Sequence, residues 1–162
     1  MLQYDQDEDI AEEAQQQWEE KDLKLSPVFY IPLFQLLGHS VDKIRSAAGS
    51  AIAHGLLLFP TSTPNVLSQV EKKCGEVEAM EDPRDRTTFV STIVAIFNML
   101  QQCAICGVFT TAQLSCVLDI LFTHAFAHES DSVRVQGMKT GEALMEKYGE
   151  QNKQELLSYL NL

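Results

Sequence analysis

Residues 39–45 read HSVDKIR, and residues 128–134 read HESDSVR. Both fit the pattern H-x-x-D-x-[IV]-R, and the likeness continues downstream at the same offset. Ile44, Ala48, Ile52, Gly55 and Phe59 correspond to Val133, Gly137, Gly141, Leu144 and Tyr148. Each set follows the spacing i, i+4, i+8, i+11, i+15, which is one face of an α-helix. That face is small in its middle and aromatic at its end, so a neighbouring helix can come close. The segment from Arg86 to Leu100 lies between the two as a degenerate copy, with Arg86 in the arginine place. The arginines recur after 41 and 48 residues. Repetition at such a period marks helical hairpins that stack to share one core. The fold class predicted is all-α: a HEAT/armadillo-like α-solenoid of antiparallel helix pairs.

The rest of the chain fits this frame. Helices are predicted over about 9–20, 27–37, 43–59, 64–79, 83–103, 111–127, 132–148 and from 152 onward. Pro27, Pro64 and Pro83 stand at helix starts, where a missing N–H costs nothing. Gly149 is placed as a C-terminal cap. Thr61, Ser62, Thr63, Thr110 and Thr111 lie where capping explains them. Apolar runs are too long for strands, and connections are short, which makes neighbouring helices antiparallel. The expected organisation is an acidic segment over 1–24 with one docking helix, then repeats over 25–79, 80–130 and 131–162, the last truncated. The ends should expose apolar faces meant for flanking repeats.

The chain has 162 residues, of which 45% are hydrophobic. That is too apolar for disorder. Net charge is −11, which opposes general binding of nucleic acid through phosphate neutralisation. Much of the excess is local: Asp5, Asp7, Glu8, Asp9, Glu12, Glu13, Glu19 and Glu20 precede the first lysine. Within that stretch Ile10, Ala14 and Trp18 keep i, i+4, i+8 spacing, so one side should dock, with Trp18 as its anchor. No run of eighteen apolar residues exists, so no membrane span is expected. The acidic start is unlike a signal peptide, which has a basic leading region. The expected location is cytosolic or nuclear, with reduced thiols.

The repeated charges have a physical reading. Asp42 and Asp131 sit where an N-cap carboxylate would accept a backbone N–H. Arg45 and Arg134, with Arg86 as their degenerate counterpart, sit in a first helical turn, the unfavourable end of the helix dipole for a cation. An aspartate or an exposed carbonyl of the adjacent repeat would offset that. The competing reading is a ligand-binding arginine, and recurrence at one register favours the structural one. Lys72, Lys73 and Arg84, around one inter-helix loop, form a candidate weak contact surface.

Other residues imitate chemistry. Cys103-x-x-Cys106 followed by His124 and His128 resembles a two-cysteine, two-histidine zinc site. The intervening gap is seventeen residues and holds the core run Leu114, Val117, Leu118, Leu121, Phe122. Core thiols are therefore the preferred reading, and thioredoxin-like redox chemistry lacks its βαβ setting. His54 reads as a surface or boundary residue. No nucleophile elbow or phosphate loop occurs. The chain is expected to be no enzyme and to hold no metal or cofactor.

Two stretches carry a family likeness. The first, 11–60, has Trp18 in an acidic segment, then Arg45 with Ala47, Ala48, Ala51 and Ala53, ending in Phe59-Pro60. The second, 126–160, has Val133-Arg134, then Lys147-Tyr148-Gly149 with Asn152. Both resemble the large HEAT-repeat translational activator of the general amino-acid control pathway, in the region leading into its elongation-factor-3-like part. The middle, 71–111, departs most from the family, since Arg86 is followed by TTFVSTIVAIF. The resemblance implies a non-catalytic scaffold segment of a ribosome-associated cytoplasmic regulator. Such proteins promote activation of the initiation factor 2 kinase in amino-acid starvation. Partners implied through the parent protein are the ribosome and that kinase, with flanking HEAT repeats, no membrane, and weak or no direct binding of nucleic acid. The kinase-contacting region of the family lies downstream, so no such residue carries over. The alternative is a HEAT module of another class: a transport receptor, phosphatase scaffold or microtubule-binding array.

Overall fold

A computed structural model describes residues 26–150. The acidic segment over 1–24 and the helix expected from 152 lie outside the described residues. Those described form seven α-helices and no strand. They are α1 (Tyr30–Leu36), α2 (Asp42–Leu58), α3 (Thr63–Glu78), α4 (Pro83–Thr88), α5 (Val90–Cys106), α6 (Thr111–His124) and α7 (Asp131–Tyr148). A single 3₁₀ turn, Pro60–Ser62, leads into α3. The chain is an all-α stack of antiparallel helices.

The helices form two layers. In one, α5 lies between α2 and α7. In the other, α3 packs on α6, while the short α1 packs on α2. Position in the stack explains composition. Thr92, Ile93, Ala95, Ile96, Phe97, Met99, Leu100, Cys103 and Ala104 are all buried on α5, because it has neighbours on several sides. By contrast α3 buries one stripe, Val66, Leu67, Val70, Cys74 and Val77, and leaves its charged side to water. The repeated face behaves as a packing face. Ala48, Ile52, Gly55, Val133, Gly137, Leu144 and Tyr148 are buried, while Ile44, Phe59 and Gly141 are half-buried.

Local chemistry fixes the helix ends. Pro64 and Pro83 stand in the first turns of α3 and α4. Thr110 and Gln113 form a reciprocal capping box at the start of α6, at 3.3 and 3.0 Å. Gly107 ends α5 at φ 74°, a left-handed cap that glycine adopts without steric cost. Gly149 is the C-cap of α7, as expected, but in right-handed geometry at φ −59°, with its N–H donating to the Met145 carbonyl. The helix expected over 83–103 is two pieces, interrupted at Phe89. The Thr87 and Thr88 hydroxyls donate to the carbonyls of Pro83 and Arg84, at 2.8 and 3.0 Å. Such i−4 back-bonding competes with the helical ladder and bends it.

Positions 79/80 and 130/131 fall in loops crossed by arginine–carbonyl bonds that tie consecutive helices. Those loops lie inside hairpins, which run over 30–58, 63–106 and 111–148. No described helix is long and apolar enough to cross a membrane.

Candidate functional site

Three arginines make the same bond. Arg45 Nη1 donates to the carbonyl of His39 at 2.8 Å, Arg86 Nη1 to that of Met80 at 2.6 Å, and Arg134 Nη1 to that of His128. The acceptor is six residues upstream each time. Arg45 and Arg86 also reach the carbonyls of Ser40 and Glu81, both at 3.1 Å. These carbonyls lie just past the ends of α1, α3 and α6, where unpaired C=O groups and the helix dipole concentrate negative charge. Each guanidinium therefore sits between two helix ends. What offsets its place at a helix start is the end of the preceding helix, joined in the case of Arg86 by a carboxylate from further along the chain.

The aspartates act differently from the N-caps expected. Asp42 and Asp131 are the first helical residues, and Val41 and Ser130 before them make no side-chain cap bond. Asp42 Oδ1 instead accepts from Arg45 Nη2 at 3.2 Å, and Asp131 pairs with Arg134. Both carboxylates are about 90% exposed, so these pairs add little stability. The histidines take the turn's spare donors. His39 Nδ1 accepts from Val41 N at 3.0 Å, and His128 Nδ1 from Ser130 N at 2.9 Å. This histidine role was not read from the sequence, although the repeated H-x-x-D was its signal. In the middle copy Met80 and Pro83 replace the histidine and aspartate. There Arg86 turns to Glu129 of the next hairpin, with Nε to Oε1 at 2.8 Å. That pairing lowers the Glu129 carboxyl pKa and raises that of Arg86. A second link, His124 Nδ1 to Glu78 Oε1 at 2.6 Å, joins the ends of α6 and α3.

Arg45→Ala should cost about 1–3 kcal/mol, the range for deleting a charged donor from partly buried carbonyls. Arg45→Lys should recover only part, since an ammonium cannot span both carbonyls and Asp42 in the same planar fork. Chemical denaturation of the three proteins checks this, and an unchanged midpoint in Arg45→Ala would remove the structural role.

His128 gives a pH dependence. Burial, then the Arg134 and His124 charges, lower its pKa from 6.5, while Glu129 and Glu78 act in the opposite sense. The folded state therefore prefers neutral imidazole, which its acceptor role requires. The unfolded chain binds the extra proton first as pH falls. This group's contribution is complete above pH 6.5 and is lost as pH falls from there through the lower folded value. His128→Ala should be less stable at pH 7.5 and lose less between pH 7 and 5 than the unaltered protein. Equal acid slopes in paired denaturation curves would contradict it.

Cys103, His124 and His128 of the zinc-like row have different partners. Cys103 is buried, with its sulfur 3.6 Å from that of Met99, while His124 and His128 are engaged as above. Among the described residues no group of three or more His, Cys, Asp or Glu is placed to hold a metal ion. Burial, with the Glu78 and Glu71 charges behind it, pushes the Cys74 thiol up to about 12. Burial also pushes up Cys103. A reactive or ligating thiolate needs the opposite shift. His54 Nδ1 lies 2.8 Å from the Ser50 carbonyl on the exposed side of α2.

Lys72 and Lys73 line an open groove of about 390 Å3 between α1 and α3, with Phe34, Gln69, Glu76 and Phe89 among its other walls. Lys73 Nζ sits 4.8 Å from the centre of the Phe89 ring. Arg84 is outside this groove, at the start of α4, where it pairs with Asp82 at 3.3 Å. A second groove of about 450 Å3 crosses the N-terminal halves of α2, α5 and α7, with Arg45, Ser46, Ser91, Asn98, Ser132 and Gln136 in its lining.

No curated protein and no solved structure matches the chain. The family model described as "Stalled ribosome sensor GCN1, HEAT repeats" matches residues 1–161. With helices stacked in two layers and an arginine tying each hairpin, the chain belongs to the GCN1 HEAT-repeat family.

Proposed function

We propose that the chain is a non-catalytic scaffold segment of a cytoplasmic, ribosome-associated sensor. In the longer protein it sets the length and curvature of the solenoid and adds a weak contact, helping that protein promote activation of the initiation factor 2 kinase in starvation. The observation that carries this reading is the family match over nearly the whole chain. The side chains support a scaffold role. The recurrent arginines are spent on backbone carbonyls, and the Cys74 and Cys103 thiols are buried and raised in pKa. Lys72, Lys73 and Arg84 are the contact residues of this reading. Two or three phosphate contacts give weak, salt-sensitive binding, with a log–log slope of about −0.9 per phosphate on duplex. Useful affinity then comes from many repeats acting together.

Ribosome co-sedimentation tests it. The 162-residue chain alone should show little binding at physiological salt and no kinase activation. The longer protein should co-sediment, and Lys72→Glu, Lys73→Glu and Arg84→Glu together should weaken it and flatten its salt slope. Tight, salt-resistant RNA binding by the isolated chain would mark a dedicated recognition domain and overturn the scaffold reading.

A further inference from the structure

We propose that the acidic stretch ahead of α1 docks in the groove between α1 and α3, with Trp18 against Phe34 and Phe89 and its carboxylates facing Lys72 and Lys73. This goes beyond the ribosome reading: the docked segment would cover Lys72 and Lys73, so a phosphate contact there would have to displace it, while its own test reads the isolated chain with no ribosome present. Among the described residues the outer layer opens between α1 and α3. Where α3 meets α6 the helices pack, and Glu78 and His124 join their ends. Between α1 and α3 the open groove remains instead. Its floor is half-apolar, from the partly buried rings of Phe34 and Phe89, and its α3 wall carries two lysines against one carboxylate, Glu76. In a chain of net charge −11 that is a local inversion of sign.

The occupant follows from charge, pattern and reach. The first twenty residues hold eight carboxylates and no lysine or arginine. Ile10, Ala14 and Trp18 keep the spacing of one helical face, so the segment offers an apolar stripe edged with acids. Its attachment point is close by. The Ser62 hydroxyl donates to the Pro27 carbonyl at 2.5 Å, which places residue 27 beside the start of α3. Lys72 is nine residues along α3 from Thr63, about 14 Å at 1.5 Å per residue. The eight residues from Trp18 to Ser26 span up to about 26–29 Å when extended. Trp18 therefore reaches the groove with chain to spare. Burying a tryptophan on two phenyl rings, with the acids against lysines, satisfies both chemistries of the opening.

Trp18 is the chain's only tryptophan, so its fluorescence reports this contact alone. In the full chain its emission should be blue-shifted, and acrylamide quenching should be at least about twofold weaker than in a peptide of residues 1–25. Lys72→Glu with Lys73→Glu should restore peptide-like quenching, while Lys139→Glu on exposed α7 should change nothing. Should the lysine pair disturb folding, Glu12→Gln, Glu13→Gln, Glu19→Gln and Glu20→Gln together alter only the occupant and should raise quenching equally. Peptide-like quenching in the unaltered chain overturns the proposal. So does protection indifferent to both charge sets, which places the segment elsewhere. Protection that grows with protein concentration also overturns it, because the occupant is then a second copy.

Discussion

Phe97→Ala is expected to lower stability by about 3–5 kcal/mol, the upper range for truncating a buried aromatic side chain. Phe97 lies mid-way along α5, is 0% exposed, and is among the largest fully buried side chains. Because α5 lies between α2 and α7, truncation there opens a cavity inside the stack, away from solvent. Collapse around the void is hindered by a hydrogen bond at the same residue: the Phe97 carbonyl accepts from the Thr140 hydroxyl at 2.9 Å. Thr140 is itself fully buried, and its one hydroxyl proton is shared with the Gln136 carbonyl, also at 2.9 Å. Closing the gap by sliding α7 toward α5 would strain that bond, so most of the cavity cost persists. Urea denaturation followed by far-UV circular dichroism measures the loss. A drop below about 1 kcal/mol would mean the central helix is plastic, with side chains refilling the space. Because repeat arrays are stabilised by nearest-neighbour interfaces, the same variant should also broaden the transition by uncoupling the outer helices.

The repeat was legible because its physics is local. An arginine six residues after a turn carbonyl, and small residues at i+4 spacing, leave a trace in the order of residues. The trace does not say which partner each group takes. Asp42 and Asp131 read as N-caps because N-cap and first-turn positions differ by one residue, and the carboxylate serves either. The histidine Nδ1 acceptor was hidden because it needs the turn's own geometry. Glu129 was out of reach altogether, since its bond to Arg86 crosses 43 residues. Only after Pro83 is seen in the aspartate's place does the arginine's need for a distant carboxylate become apparent. The break at Phe89 escaped for another reason. Thr87 and Thr88 are tolerated in helices, and only their back-bonds to Pro83 and Arg84 show the bend. Of the candidate contact surface, the sequence placed Lys72 and Lys73 next to each other. It could not show the groove beside them, which opens between α1 and α3.

Gly137→Val should destabilise by about 3 kcal/mol, the upper end of ordinary overpacking costs. A Cβ at Gly137 would stand 2.7 Å from the Ala125 Cβ. Ala125 is 0% exposed, and its Cβ is fixed to the backbone, so no side-chain rotation clears the way. The α6–α7 loop would have to move, and that loop carries the His128 carbonyl that holds Arg134. Helix propensity works the other way, favouring alanine over glycine by about 0.8–1 kcal/mol. Gly137→Ala should therefore lose less than valine, which adds two methyl groups and a stiff χ1. Two other helical glycines isolate the steric part. At Gly141 a Cβ would meet only the Phe126 ring at 3.6 Å, and at Gly75 nothing lies within 4 Å. Gly75→Ala should then stabilise by up to about 1 kcal/mol through propensity alone, and Gly141→Ala should be neutral or better. Thermal unfolding of the four variants gives the ranking Gly75→Ala, Gly141→Ala, Gly137→Ala, Gly137→Val from most to least stable. If Gly137→Val melted with Gly141→Ala, the close approach of α7 to the end of α6 would not be what this glycine serves.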